Sequence, residues 1–306
     1  MIANVAARVD RWFYGPAPAE RLAALRILVG GFGVGYLIIR WPNLVSYATF
    51  DSRRFEPVGV MSLLGEPLAG DIARLLVAGA VLSGVAFVCG WRYRITGPLF
   101  AILLLWVLTY RNSFGQIFHT ENLLVLHTLV LAFAPAADAW SLDAHGKPAP
   151  PPDARYGWPI QLMCVVTVLA YFISGETKLR NAGLDWLEGD NLRNYVAYDN
   201  LRKAELGDSY SPLAEWLLPH AWIFTPLAMF TLVVELGAPL ALVGRGVGRA
   251  WVACAWLFHI GILALMAIVF PYPLLCVAFA AFFEVEKVRL HSLSAVTRRV
   301  RGFSGG

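Results

Sequence analysis

Residues 75–110 read LLVAGAVLSGVAFVCGWRYRITGPLFAILLLWVLTY. Two apolar runs flank a short turn that carries Arg92 and Arg94. A lipid-spanning helix needs roughly 20 mainly apolar residues, because each adds about 1.5 Å across a hydrocarbon core of about 30 Å. Working outward, runs of this kind lie near 22–41, 71–91, 94–110, 121–140, 158–177, 222–243 and 249–269. After Phe270-Pro271-Tyr272-Pro273 an eighth, shorter run continues to about Phe283. Its two prolines break a continuous helix there, so this run either spans or re-enters. The predicted fold is all-α: a polytopic membrane helical bundle of about eight transmembrane helices.

Composition supports the same solvent. Of 306 residues, 58% are hydrophobic and only 15% charged, and mean hydropathy is +0.59. A soluble domain carries about 25% charged residues. A soluble globular enzyme and a disordered chain are thereby excluded. The net charge of +4 is spread over loops rather than clustered on one face, which excludes nucleic acid as a partner. Cys89, Cys164, Cys254 and Cys276 lie in or beside apolar runs without a CxxC pair, and read as small packing residues.

Eight spans place both termini on one side. Most of the basic residues fall on that side, among them Arg8, Arg11, Arg21, Arg92, Arg94, Arg245 and Arg249. The expectation is a multi-pass protein of the cell membrane with cytoplasmic termini. Residues 1–19 read as a cytoplasmic segment, 20–285 as the transmembrane domain, and 286–306 as a basic tail. Residues 42–70 read as a folded outer loop, and 143–157 as a proline-stiffened linker. The long 180–221 connection reads as an interfacial cap, or as a belt of aromatic anchors.

Ionisable groups inside lipid are costly and need partners or a wet cavity. The candidates are Arg26, His119, Glu121, His127, Glu176, Lys178, Glu235 and His259. Span parity puts Arg111, Asn112, His119, Glu121, Glu176 and Lys178 on one outer side. Tyr171, Gly175 and Lys178 share a helical face by their spacing. Lys178 is either a base, made so by apolar surroundings, or a snorkelling residue at a helix end. Glu176 can pair with Arg180 one turn on. Glu235 reads as mid-span and must be neutral or paired across helices, with Arg26 or His259 as the partners considered. His259 either hydrogen-bonds a neighbouring helix or serves a ligand or proton relay. Thr120 and Asn122 can cap the helix that follows, which leaves His119 and Glu121 for function. His127 is a weaker candidate. The histidines lack HxxxH or HExxH spacing, so no metal is indicated.

The segment Tyr171-Phe-Ile-Ser-Gly-Glu-Thr-Lys-Leu179 with Trp186-Leu-Glu-Gly189 resembles the YF-x-x-G-x-x-K-L…W-x-x-G pattern of vitamin K-dependent gamma-carboxylases. The HTTM (horizontally transferred transmembrane) domain proteins, their bacterial relatives, share it. Further matches fall in order at Arg26-Ile-Leu28, at His119 through Trp140-Ser-Leu-Asp143, and at Phe258-His259 with Phe270-Pro-Tyr272. The resemblance covers about residues 20–285. It implies an isoprenoid quinol (menaquinone or vitamin K-like) as cofactor, Lys178 as the base that deprotonates it, and His119 as a partner in the site. Tyr171, Glu235 and His259 would line the quinol site. Three departures stand out. His119 matches the carboxylase's active-site histidine with a one-residue offset in spacing. Thr177 precedes Lys178 where the animal enzyme has a lysine doublet, and the large lumenal domain that recognises protein substrates has no counterpart here. The expectation is therefore a quinol-binding, carboxylase-like oxidoreductase of the membrane. The alternative is a non-catalytic maturation, export or scaffold factor working with a protein partner.

Overall fold

The computed structural model describes residues 2–288. The tail expected at 286–306 falls almost wholly outside the described residues. The fold is all-α, and five of its helices are long and apolar enough to cross a membrane. In chain order the principal helices are α1 (Ile2–Phe13), α2 (Ala19–Ile39), α3 (Gly70–Cys89), α4 (Tyr93–Asn112), α5 (Asn122–Ala132) and α6 (Ala154–Ala182). They are followed by α7 (Asp190–Glu205), α8 (Phe224–Leu236) and α9 (Arg245–Met266).

The expected count of about eight spans is not reproduced. The fourth apolar run forms only α5, whose 11 residues reach about 16 Å before the chain passes into turns. The sixth is the 13-residue α8, followed by a 3-10 turn over Ala238–Leu242. The eighth breaks at its prolines into a helix of four residues, Pro271–Leu274, and a 3-10 stretch, Val277–Phe282. Hydropathy marks a run as buried in lipid or protein, but it does not fix where the backbone turns.

The chain forms two compact units, one running to Met163 and including the segment from Phe283, the other Cys164–Phe282. In the first unit, α2, α3, α4 and α5 pack closely because small residues lie at their crossings. A Cβ at Gly30 would stand 2.7 Å from the Phe87 ring, and one at Gly84 2.7 Å from both Phe100 and Val34. The α3–α4 turn is capped from a distance. The Asp143 carboxylate accepts from the N–H groups of Arg92 (2.9 Å) and Tyr93 (2.8 Å), which would otherwise be orphan donors at a helix start. The loop 42–70 is folded, as expected. Met61 is fully buried with Tyr110, and Phe55, Phe114 and Tyr47 close a ring cluster around them. Arg53 holds the exposed Asp51 carboxyl below the usual carboxylate range through a hydrogen-bonded pair.

In the second unit, α7 and the residues after it latch onto the end of α9. The last carbonyls of a helix have no partner within it. Here the Ser211 hydroxyl donates to Ala264, the Asn200 amide to Leu265 (2.8 Å) and the Lys203 ammonium to Met266 (2.5 Å). Side chains of the 180–221 connection thus cap the end of α9. Asn200 also accepts from the Ser211 N–H (2.7 Å), so one side chain serves both ends of the latch. Replacing Asn200 with leucine leaves both groups without that partner and is expected to cost about 2–3 kcal/mol. Thermal unfolding in detergent measures it.

Candidate functional site

Lys178 lies four residues before the end of α6. Its ammonium donates to Glu235 Oε1 in an ion pair. The Trp186 ring lies 5.3 Å from Nζ and the Phe258 ring 5.6 Å, so two aromatic faces also meet the charge. Glu235 is only 2% exposed, and its second oxygen, Oε2, has no hydrogen-bond partner. It is the penultimate residue of α8, and a 3-10 stretch over Ala238–Leu242 follows. Arg26 is not its partner, because that guanidinium is taken by backbone carbonyls of the first unit.

Gly175 explains how helix α8 comes so near. A Cβ there would stand 2.8 Å from Glu235 Cβ and 3.0 Å from Leu236, so the absent side chain admits a neighbouring helix. One turn earlier on the same face, the Tyr171 hydroxyl lies 2.6 Å from His259 Nε2. His259 is 7% exposed and its Nδ1 is buried without a partner. The stripe Tyr171, Gly175, Lys178 thus brings His259 to one end and Glu235 to the other.

Two further indoles brace this arrangement. Trp186 Nε1 donates to the Thr231 hydroxyl (3.2 Å), one turn before Glu235. Trp251 Nε1 donates to the Val234 carbonyl (2.9 Å), and its ring meets Tyr171 edge-on at 5.1 Å. Trp251 was not among the sequence candidates. Its role depends on a contact with α8 across sequence, and no local pattern marks it.

His119 is exposed and belongs to the first unit, between Phe118 and Glu121. In the same unit, Arg111, Asn112 and Glu121 of the expected cluster meet. Arg111 pairs with Glu121 at 2.8 Å and donates to the Tyr36 hydroxyl at 2.6 Å, with the Phe118 ring 4.5 Å from its guanidinium. Asn112 holds both the N–H and the carbonyl of Phe118. Glu121 is therefore held in place by Arg111. The capping expected from Thr120 and Asn122 differs, for Glu121 takes the N-cap position of α5 and no side chain caps it. His127 is fully buried against the Met163 carbonyl at 3.3 Å. Glu176 pairs with Arg180 at 3.4 Å, as their spacing predicts. Among the described residues, no group of three or more His, Cys, Asp or Glu side chains could hold a metal ion.

A family model of the HTTM domain matches residues 14–286. The chain belongs to the HTTM domain family. No curated protein and no solved structure matches it. In this HTTM protein the family-like motifs divide by role. Tyr171, Lys178, Trp186, Phe258 and His259 converge on one constellation in the second unit. Arg26 and Trp140–Asp143 converge on a backbone latch in the first.

Proposed function

We propose that this HTTM protein is a multi-pass protein of the cell membrane, with cytoplasmic termini, that binds an isoprenoid quinol beside Lys178 and oxidises it. The family's link to vitamin K-dependent gamma-carboxylase supports the class of cofactor. The observation that carries the reading is the Lys178–Glu235 pair set between Trp186 and Phe258, with unpartnered polar atoms on Glu235 and His259. These residues suit a flat, apolar molecule with hydroxyls at its edge. Buried polar atoms are normally partnered, and Glu235 Oε2 and His259 Nδ1 are free to meet such hydroxyls.

A quinol supplies, when bound, two acidic hydroxyls and a pair of electrons that dioxygen can accept. Lys178 acts as base by passing a proton to Glu235 Oε1, to which it already donates, and accepting one at Nζ. Glu235 holds the transferred proton out of water. Tyr171 orients the His259 ring through Nε2, so that Nδ1 faces the ligand as the second polar contact. Trp186 and Phe258 exclude water from Nζ. His119 is proposed as an outlying proton-handling residue of the first unit.

The test uses purified protein in detergent. Quinone is expected to co-purify with it, and Lys178→Met is expected to abolish quinol oxidation. The double variant Lys178→Met/Glu235→Leu, in which no charge is left without its partner, is expected to remain inactive as well. Turnover in either variant at the wild-type rate would sink the reading. A second reading has its own support, since the same ion pair can act purely as a clasp between α6 and α8. The protein would then be a non-catalytic maturation, export or scaffold factor. A protein partner that co-purifies equally well with Lys178→Met, from preparations without quinone, favours that class.

A further inference from the structure

The connection between α1 and α2 is fixed to the start of another membrane helix. The Ala17 N–H donates to the Asp153 carbonyl at 3.1 Å, and the Asp153 N–H returns to the Ala17 carbonyl at 3.1 Å. In the first turn of α6, a Cβ at Gly157 would sit 1.8 Å from the Gly15 carbonyl oxygen, so only glycine lets the connection pass. Both α2 and α6 are long and apolar enough to cross a membrane, and they begin beside this junction, at Ala19 and Ala154. The junction therefore lies where two spans enter the bilayer. Helix α1 ends at Phe13, two residues before Gly15, and is held at that surface.

Its residues fit the position. Val9, Trp12 and Phe13 share one face by their i, i+3, i+4 spacing, while Arg8 and Arg11 lie around the other side. Val9 is 56% exposed and Tyr14, which follows the helix, 54%. Arg8 and Arg11 are exposed, and neither forms an ion pair among the described residues. A helix with an apolar face, aromatic residues and unpaired arginines lies in the plane of a membrane interface and is drawn to anionic lipid.

We infer that α1 is an in-plane anchor that binds anionic phospholipid, with Arg8 and Arg11 on the headgroup phosphates and Val9 and Trp12 at the acyl boundary. Two observations select lipid over a protein partner. The tie at Ala17 and Gly15 keeps the helix at the bilayer surface, and the exposed charges of its described side chains, Arg8, Asp10 and Arg11, leave a net positive charge that complements that surface. The inference is independent of quinol binding.

Hydrogen exchange read by mass spectrometry tests it on the full-length protein in nanodiscs. One set contains phosphatidylcholine alone and the other includes phosphatidylglycerol. Each arginine near an anionic surface strengthens binding about fivefold, so the two together are expected to slow exchange in α1 up to about thirty-fold in the anionic discs. Arg8→Gln/Arg11→Gln is expected to remove that difference, and Val9→Asp to remove it by disrupting the apolar contact instead. Unchanged exchange in α2 and α6 reports that the variants remain folded. Equal exchange in the two lipids, or slowing that survives the double substitution, overturns the inference.

Discussion

Exchanging Lys178 for methionine is expected to destabilise the protein by about 3–5 kcal/mol, the usual cost of leaving one member of a buried ion pair alone. Glu235 is 2% exposed, and its Oε2 already lacks a partner. Removing the ammonium leaves Oε1 without one as well. The reverse change, Glu235→Gln, is expected to cost less, about 1–2 kcal/mol. The Lys178 side chain is 22% exposed, and its four-carbon stem can carry the charge outward. The Trp186 and Phe258 rings remain beside it, and glutamine retains a carbonyl acceptor. The double variant Lys178→Met/Glu235→Leu should recover most of the loss, since an apolar pair of similar volume often replaces a buried ion pair at little cost. Thermal unfolding of wild type, the two single variants Lys178→Met and Glu235→Leu, and their double gives the coupling directly. A Lys178→Met protein as stable as the wild type would mean that the ammonium is not the counter-charge of Glu235. The stability cycle and the turnover assay then separate two roles of one residue. A clasp is restored by the double variant, and a base is not.

The sequence disclosed the solvent, the helices and the shared face of Tyr171, Gly175 and Lys178, because these follow from local periodicity. It did not disclose that Glu235 faces Lys178. That pairing depends on α8 packing against α6 at Gly175, a contact between residues far apart in sequence that no local pattern marks. Apolar residues continue through Val243, so hydropathy reads one long run where the α-helix gives way to a 3-10 stretch. The same limit explains the fourth run, where α5 stops at Ala132 and apolar alanines continue in turns. Trp251 was invisible for a different reason. Indole-to-carbonyl bonds at a helix end need only a donor at the right place in space, and any of the 11 tryptophans satisfies that chemically. His119 follows Phe118, whose ring lies 4.5 Å from the Arg111 guanidinium, so its motif keeps it in the same unit as the charged residues at the end of α4.

Arg26→Leu is expected to be the most disruptive single change in the first unit, and the loss should be one of folding rather than of chemistry. Arg26 is fully buried in α2. Its guanidinium donates to the carbonyls of Ala136 (2.7 Å), Ala139 (3.4 Å) and Trp140 (2.5 Å), where the chain turns after α5. Each is a backbone acceptor that helix geometry does not satisfy, and in an apolar surrounding such groups cost several kcal/mol apiece when unpaired. Leucine removes the donors without replacing them. A loss of about 4 kcal/mol or more follows even after allowing for relief of the buried charge. Lysine should restore little, since a point charge cannot span three carbonyls as the planar guanidinium fork does. Gly90 supplies an independent check on the same latch. It adopts φ +61°, and a Cβ there would stand 2.9 Å from the Arg26 guanidinium and 2.4 Å from Ser141 Cβ. Gly90→Ala therefore adds backbone strain to displacement of the clamp, and its effect should not add to that of Arg26→Leu. If Arg26→Leu unfolds at the wild-type temperature, the carbonyls have found other donors and the latch is not what holds this turn. If it unfolds early while Gly90→Ala costs less in its background than in the wild type, the two residues act through one contact.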